Sequence, residues 1–188
     1  MRLQAAHINA FLESGTHVIS TMTGMMGPEH TLTPVLKGKP YVKTDKKGFG
    51  DISALIPMTG PNMNGIAIFS LNSEASAAIY AAMMSEDYAA TMAALKSADK
   101  DVAKKKLEEI ADGMGELTNQ ISGDARKKIA VLAENALKLE AGTPTLMIGH
   151  DHIIKPDLQG ILIAIPFGLD KIPEAAFTVE IGMEGVNS

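Results

Sequence analysis

The stretch IADGMGELTNQISGDARKKIAVLAENALKLEAG, residues 110–142, spaces its apolar residues as a long amphipathic helix does, yet carries glycine at positions 113, 115 and 123. At 100° per residue, Ile110, Met114, Leu117, Ile121, Ala125, Ile129, Leu132, Ala136 and Leu139 step by three or four and keep to one stripe. That stripe predicts a buried face. With Leu117 at its centre, the 3.6-residue period puts Asp112, Glu116 and Asn119 within about 60° of one another on the opposite side. There they are either ordinary solvated residues or contacts to a partner. Gly115 and Gly123 are expected on or beside this exposed side, where each costs about 1 kcal/mol relative to alanine. A bare helix surface lets another macromolecule approach the backbone around Glu116 and Asn119. Gly113 lies nearer the buried flank and is expected to pack against a sheet.

Outward from this helix, expected over 102–140, the periodicity changes. Upstream, Leu3, Ile8, Phe11, Leu12, Val18, Ile19, Met22 and Met26 follow the helical period until GPEH at 27–30. Short β-type runs follow at TLTPVL (31–36), DISALIPM (51–58) and GIAIFSL (65–71), separated by the loop-like KGKPYVKTDKKGFG and by TGPNMN, which suggests a hairpin. NSEASAAIYAAMMS (72–85) reads as a helix with Asn72 or Ser73 at its N-cap and Glu74 in the first turn. Residues 86–101 read as a short helix and turn, or an insertion. The tail contributes three more strands, in TLMIGHDHIIK, GILIAIPF and AAFTVEIGM. This order predicts a single α+β domain over 1–188, a mostly antiparallel sheet with long helices packed on one face.

Composition narrows the chemistry. A chain of 188 residues without cysteine has no disulfide, thiolate metal site or cysteine nucleophile, which fits a reducing cytoplasm. The net charge of −5 offers no global attraction for nucleic acid or anionic lipid. No apolar run approaches the about 18 residues of a membrane span. Lys37, Lys39, Lys43, Lys46 and Lys47 read as a solvated basic loop, and Met22, Met25, Met26, Met83 and Met84 as adaptable core filling. His150 and His152 fall on one side of an expected strand, but a metal site would need further ligands such as Asp157 to converge on them.

GMGELTNQISGDA (113–125) resembles the signature helix of the CheC, CheX and FliY phosphatases of bacterial chemotaxis. In that signature an acidic residue or serine, three others, Glu, two others and Asn occur in order. Asp112, Glu116 and Asn119 match it, and Gly123 completes a GExxNxxxG form. INAFLESGTHVISTMTGM, GPNMNGIAIFSL with NSEASAAIYAAMM, and GILIAIPF extend the similarity over most of residues 5–183, with the CheX type nearest. The sequence departs from the pattern at Pro144, a few residues later than the family's proline. It also has Thr16 where a second Glu/Asn pair starting at Glu13 would need asparagine. One active site per chain is therefore expected.

The resemblance implies a phosphatase acting on the phosphoaspartate of a CheY-type receiver domain. That receiver is expected to hold Mg²⁺ itself, so the chain would need no cofactor or metal of its own. The family parallel makes Asn119 and Glu116 the catalytic residues: Asn119 orients the attacking water and Glu116 docks the receiver. Asp112, Gly115 and Gly123 are expected to contact the receiver. The resemblance further implies a cytoplasmic homodimer joined through its sheets. The alternative is a non-catalytic receiver-binding or flagellar-switch adaptor that uses the same helix face.

Overall fold

A computed structural model describes residues 4–44, 47–60, 63–132, 139–149, 154 and 161–185. Helix α1 (Ala5–Gly24) runs into a single 3-10 turn at Pro28–His30, followed by β1 (Pro34–Leu36), β2 (Tyr41–Lys43), β3 (Ile52–Gly60) and β4 (Met63–Leu71). Then come α2 (Ser73–Met84), α3 (Tyr88–Leu95), α4 (Lys100–Leu132), β5 (Glu140–Ala141), β6 (Thr145–Ile148), β7 (Leu162–Leu169) and β8 (Ala176–Gly185). The expected α+β class holds. All eight strands join one antiparallel sheet in the order β1-β7-β8-β4-β3-β5, with β2 also on β7 and β6 also on β3.

Each edge of the sheet is thus laid down by two short strands in succession along one partner. β1 and β2 flank β7, and β5 and β6 flank β3. The 2-residue alternation of the long strands sends one set of side chains toward the helices. Ile52 and Met58 of β3, Phe69 of β4, Phe167 of β7, and Phe177 and Val179 of β8 pack there with Phe11 and Ile19 of α1, Ile79 of α2, and Ile110, Met114, Leu117 and Ile121 of α4. Phe177 stands edge-on to Phe69 at 5.3 Å between centroids and stacks on Phe167 at 5.1 Å. On the reverse face Ile66 and Ile68 pack with Ile154, flanked by Leu55, Met147 and Leu162.

The fold corrects several sequence expectations. The segment assigned to a basic loop contains β2, and the side chain of Lys43 within it is turned in from solvent, its Nζ 2.6 Å from Glu180 Oε1 of β8. It lies on the reverse face, two strands over from Glu180, and because a carboxylate buried without a counter-ion is costlier than a buried pair, the long lysine chain brings its ammonium in to meet it. Met25, Met26 and Met84 are exposed: Met84 is the last residue of α2, and Met25 and Met26 follow the end of α1. Glu140 belongs to β5, paired with Thr59, rather than to α4; residues 133–138 between them lie outside the described residues, as do His150 and His152. Gly113 packs against Tyr80 of α2 rather than against the sheet.

Local capping sets the helix starts. Asn72 accepts from Ala75 N (2.9 Å) at the N-terminus of α2 and from Ala176 N (3.1 Å) at the start of β8, so one side chain ties a helix to the sheet. Asp51 reinforces that joint by accepting from Ser73 N at 2.8 Å. The turn before it requires glycine: Gly50 has φ +73°, and a Cβ there would collide with the Leu71 carbonyl.

Candidate functional site

Helix α4, 33 residues and about 50 Å long at 1.5 Å per residue, carries the candidate site. Asp99 caps it, its Oδ1 accepting from Asp101 N (3.0 Å) and Val102 N (3.4 Å). Ile110, Met114, Leu117, Ile121, Ala125 and Ile129 are buried, as the stripe predicts. Leu132 and Ala136 lie outside the residues whose side chains are described. Arg126 Nη1 donates to Leu139 O at 3.2 Å and ties the helix to the chain returning toward the sheet.

Asp112, Glu116, Asn119 and Gln120 are all exposed on the outer side of this helix. Thr118, between Glu116 and Asn119, is buried and donates to Met114 O at 2.7 Å, so the outer residues stand on a packed base. Gln120 Nε2 donates to Glu116 Oε1 at 2.7 Å. Gln120 is not among the residues of the signature; its signal in the sequence is a Glu–Gln pair four apart, a spacing that brings side chains together on a helix.

The glycines divide differently from the expectation. Gly115 is buried, not exposed, and a Cβ there would sit 3.4 Å from both Cδ atoms of Leu146 in β6. It lets α4 settle onto the edge of the sheet. Gly113 faces α2, with a Cβ 3.1 Å from Tyr80 Cδ2. Gly123 alone is open: the nearest atom to its Cβ would be Arg126 Nη2 at 3.9 Å.

Gly123 and Gln120 border an open groove of about 510 Å³ between α1 and α4, whose α1 wall includes His17, Val18 and Met22. Asp124 stands at its rim. Burial pushes the Asp124 carboxyl up, but the neighbouring Ser14 hydroxyl and the Lys128 ammonium, 3.2 Å away, outweigh that and leave it below the usual aspartate value. Among the described residues no cluster of three or more His, Cys, Asp or Glu side chains could hold a metal ion. No helix among them is long and apolar enough to cross a membrane.

A family model described as chemotaxis phosphatase CheX matches residues 52–168, which span β3 through most of β7 and include the whole of α4. The chain belongs to the CheX family. A chemotaxis protein CheX from Desulfovibrio desulfuricans shares 30% identity, over 95% of this chain and 99% of that one, with a TM-score of 0.69. A CheC-like superfamily protein from Shewanella sp. PV-4 shares 29%, over 97% and 100% of the two chains, at 0.70. The fold also recurs in a CheX–CheY–BeF₃–Mg²⁺ complex from Borrelia burgdorferi, at 18% identity over 95% and 97% of the chains and a TM-score of 0.66. No curated protein matches the chain.

Proposed function

We propose that this CheX-family chain hydrolyses the phosphoaspartate of a CheY-type receiver, with Asn119 orienting the attacking water and Glu116 docking the receiver. The observation that carries the reading is the exposed pair Glu116 and Asn119, three residues apart on a helix whose opposite face is locked into the core. Membership of a phosphatase family and the fold shared with a CheY-bound CheX support the choice of partner.

The chemistry asks little of the phosphatase beyond placement. Water attacks phosphorus in line with the aspartyl oxygen, the P–O bond to the aspartate breaks, and inorganic phosphate leaves with the water's proton given up to phosphate or solvent. The receiver's own Mg²⁺ and cationic side chain neutralise the phosphoryl oxygens. Asn119 has a carbonyl that accepts from the water and an amide that donates to the phosphoryl group, and it need not titrate. Glu116 supplies a charge-assisted contact to a cationic side chain near the phosphorylation site. Asp112, one turn before Glu116, adds a second anionic contact, and Gly123 keeps the approach clear. Gly115 is left out of this surface because it is covered by Leu146.

Subunit association belongs to the same reading. The β1–β2 edge exposes Leu36, Tyr41 and Val42, an apolar border suited to joining a second sheet in a homodimer. Sedimentation of the purified chain at two concentrations checks this, and a monomer at both would oppose it.

Release of phosphate from a phosphorylated CheY-type receiver, wild type against Asn119→Ala, tests the catalytic reading. Loss of one preorganised group is expected to slow release by about 10²–10³-fold while binding is kept. An Asn119→Ala protein as fast as wild type would refute the role of the amide. The adaptor alternative predicts receiver binding with no acceleration of phosphate release by the wild type.

A further inference from the structure

The acidic residues of α4 are not alike in their surroundings. Glu108, Glu109 and Asp124 each have lysine on their own helix: Lys104 at 3.9 Å from Glu108, Lys106 at 2.8 Å from Glu109, and Lys128 at 3.2 Å from Asp124. Glu116 has a neutral partner instead, the Gln120 amide at 2.7 Å. Residues 107–125 contain Glu108, Glu109, Asp112, Glu116 and Asp124 and no lysine, arginine or histidine. Among the described residues, Glu116 has no cation within ion-pair distance.

We infer that Gln120 is a positioning residue, which holds the Glu116 carboxylate in place without neutralising it so that its full charge meets a cationic side chain of the receiver. The inference rests on the receiver-docking reading above and adds to it a residue and a reason for its type. A lysine at position 120 would also reach Glu116, since Glu followed by Lys four residues on is a favourable helix pair, but it would spend that charge internally. An amide donates one hydrogen bond to one carboxylate oxygen and leaves the second oxygen free to accept. An exposed glutamate otherwise samples several rotamers, and ordering it on docking opposes binding. Gln120 restricts that sampling before the receiver arrives, next to Asn119 in the chain and at the mouth of the groove between α1 and α4.

The test measures steady-state phosphate release from a phosphorylated CheY-type receiver, and affinity for the same receiver loaded with beryllofluoride and Mg²⁺. Gln120→Ala is expected to raise KM and Kd about threefold to tenfold, the usual worth of one hydrogen bond, with kcat within about twofold of wild type. Gln120→Lys is expected to bind more weakly still, although its helix pair with Glu116 is stronger. In a Glu116→Ala background, Gln120→Ala should have no further effect.

Wild-type KM and Kd in Gln120→Ala and Gln120→Lys would overturn the inference while leaving the phosphatase reading intact. So would an equal loss from Gln120→Ala with and without Glu116. A wild type that binds without releasing phosphate removes the catalytic reading alone, and the Kd series then decides the role of Gln120. A wild type that neither binds nor hydrolyses overturns both. Circular dichroism melts of each variant separate these outcomes from unfolding.

Discussion

Gly113 of α4 lies against the ring of Tyr80 of α2, so that a Cβ on the glycine would stand 3.1 Å from Tyr80 Cδ2. The ring has little room to retreat, being 7% exposed with Lys106 Nζ 5.2 Å from its centroid, and Lys106 in turn paired with Glu86 and Glu109. Close approach of two helices here depends on the missing side chain. Gly113→Ala therefore gains helix propensity of about 1 kcal/mol but meets overpacking of about 1–3 kcal/mol, for a net loss of up to about 2 kcal/mol. Gly123→Ala meets open space and is expected to gain about 0.5–1 kcal/mol. Urea unfolding of both variants checks the contrast, and equal shifts of the same sign would contradict it.

The same openness makes Gly123 a probe of docking. Gly123→Leu projects a side chain into the groove between α1 and α4, beside Gln120. It is expected to weaken affinity for an activated receiver at least tenfold, the order of one clashing interface position, while the thermal midpoint stays near that of wild type. Unchanged affinity would show that the receiver does not pass over this part of the helix.

Lys43 and Glu180 form a buried ion pair on the reverse face of the sheet, with side chains 7% and 1% exposed and Thr178 Oγ1 also donating to Glu180 Oε1 at 3.2 Å. Lys43→Met leaves a buried carboxylate without this cation and is expected to cost about 3–5 kcal/mol. Replacing both residues, as Lys43→Met with Glu180→Leu, is expected to restore most of the loss, because the desolvation of two charges is then avoided. Denaturant midpoints of the two variants measure the difference. A double variant as unstable as the single one would mean that the pair carries more than its own charge balance.

His7 supplies a pH dependence of stability. Its ring is buried in α1, its Nδ1 accepts from Gln4 N at 3.1 Å, and burial lowers its pKa below the ordinary 6.5. The unfolded chain therefore takes up a proton before the folded one does, and stability falls as the pH drops from about 6.5 toward the folded-state value, with no contribution above that window. His7→Gln lacks the titrating group and should flatten this part of the profile. Urea midpoints at pH 7.5 and 5.5 for both proteins provide the check, and parallel profiles would exclude His7 as the source.

Much of this molecule was legible as pattern. The apolar stripe of α4 and the alternation in DISALIPM and GIAIFSL specify the helix, the strands and the face each one buries, because local periodicity is a one-dimensional property. The spacing of Asp112, Glu116 and Asn119 likewise places all three on the wet side of α4 before any tertiary contact is known. Contacts across elements were not legible in this way. Gly113 and Gly115 look alike in sequence, yet one meets Tyr80 and the other Leu146, while Gly123 meets almost nothing. Lys43 reads as a solvated loop residue until β7 and β8 bring Glu180 beside it, from 137 positions away. Helical phase follows from the chain's own bonds, whereas what occupies the space beside a residue follows from how distant segments pack.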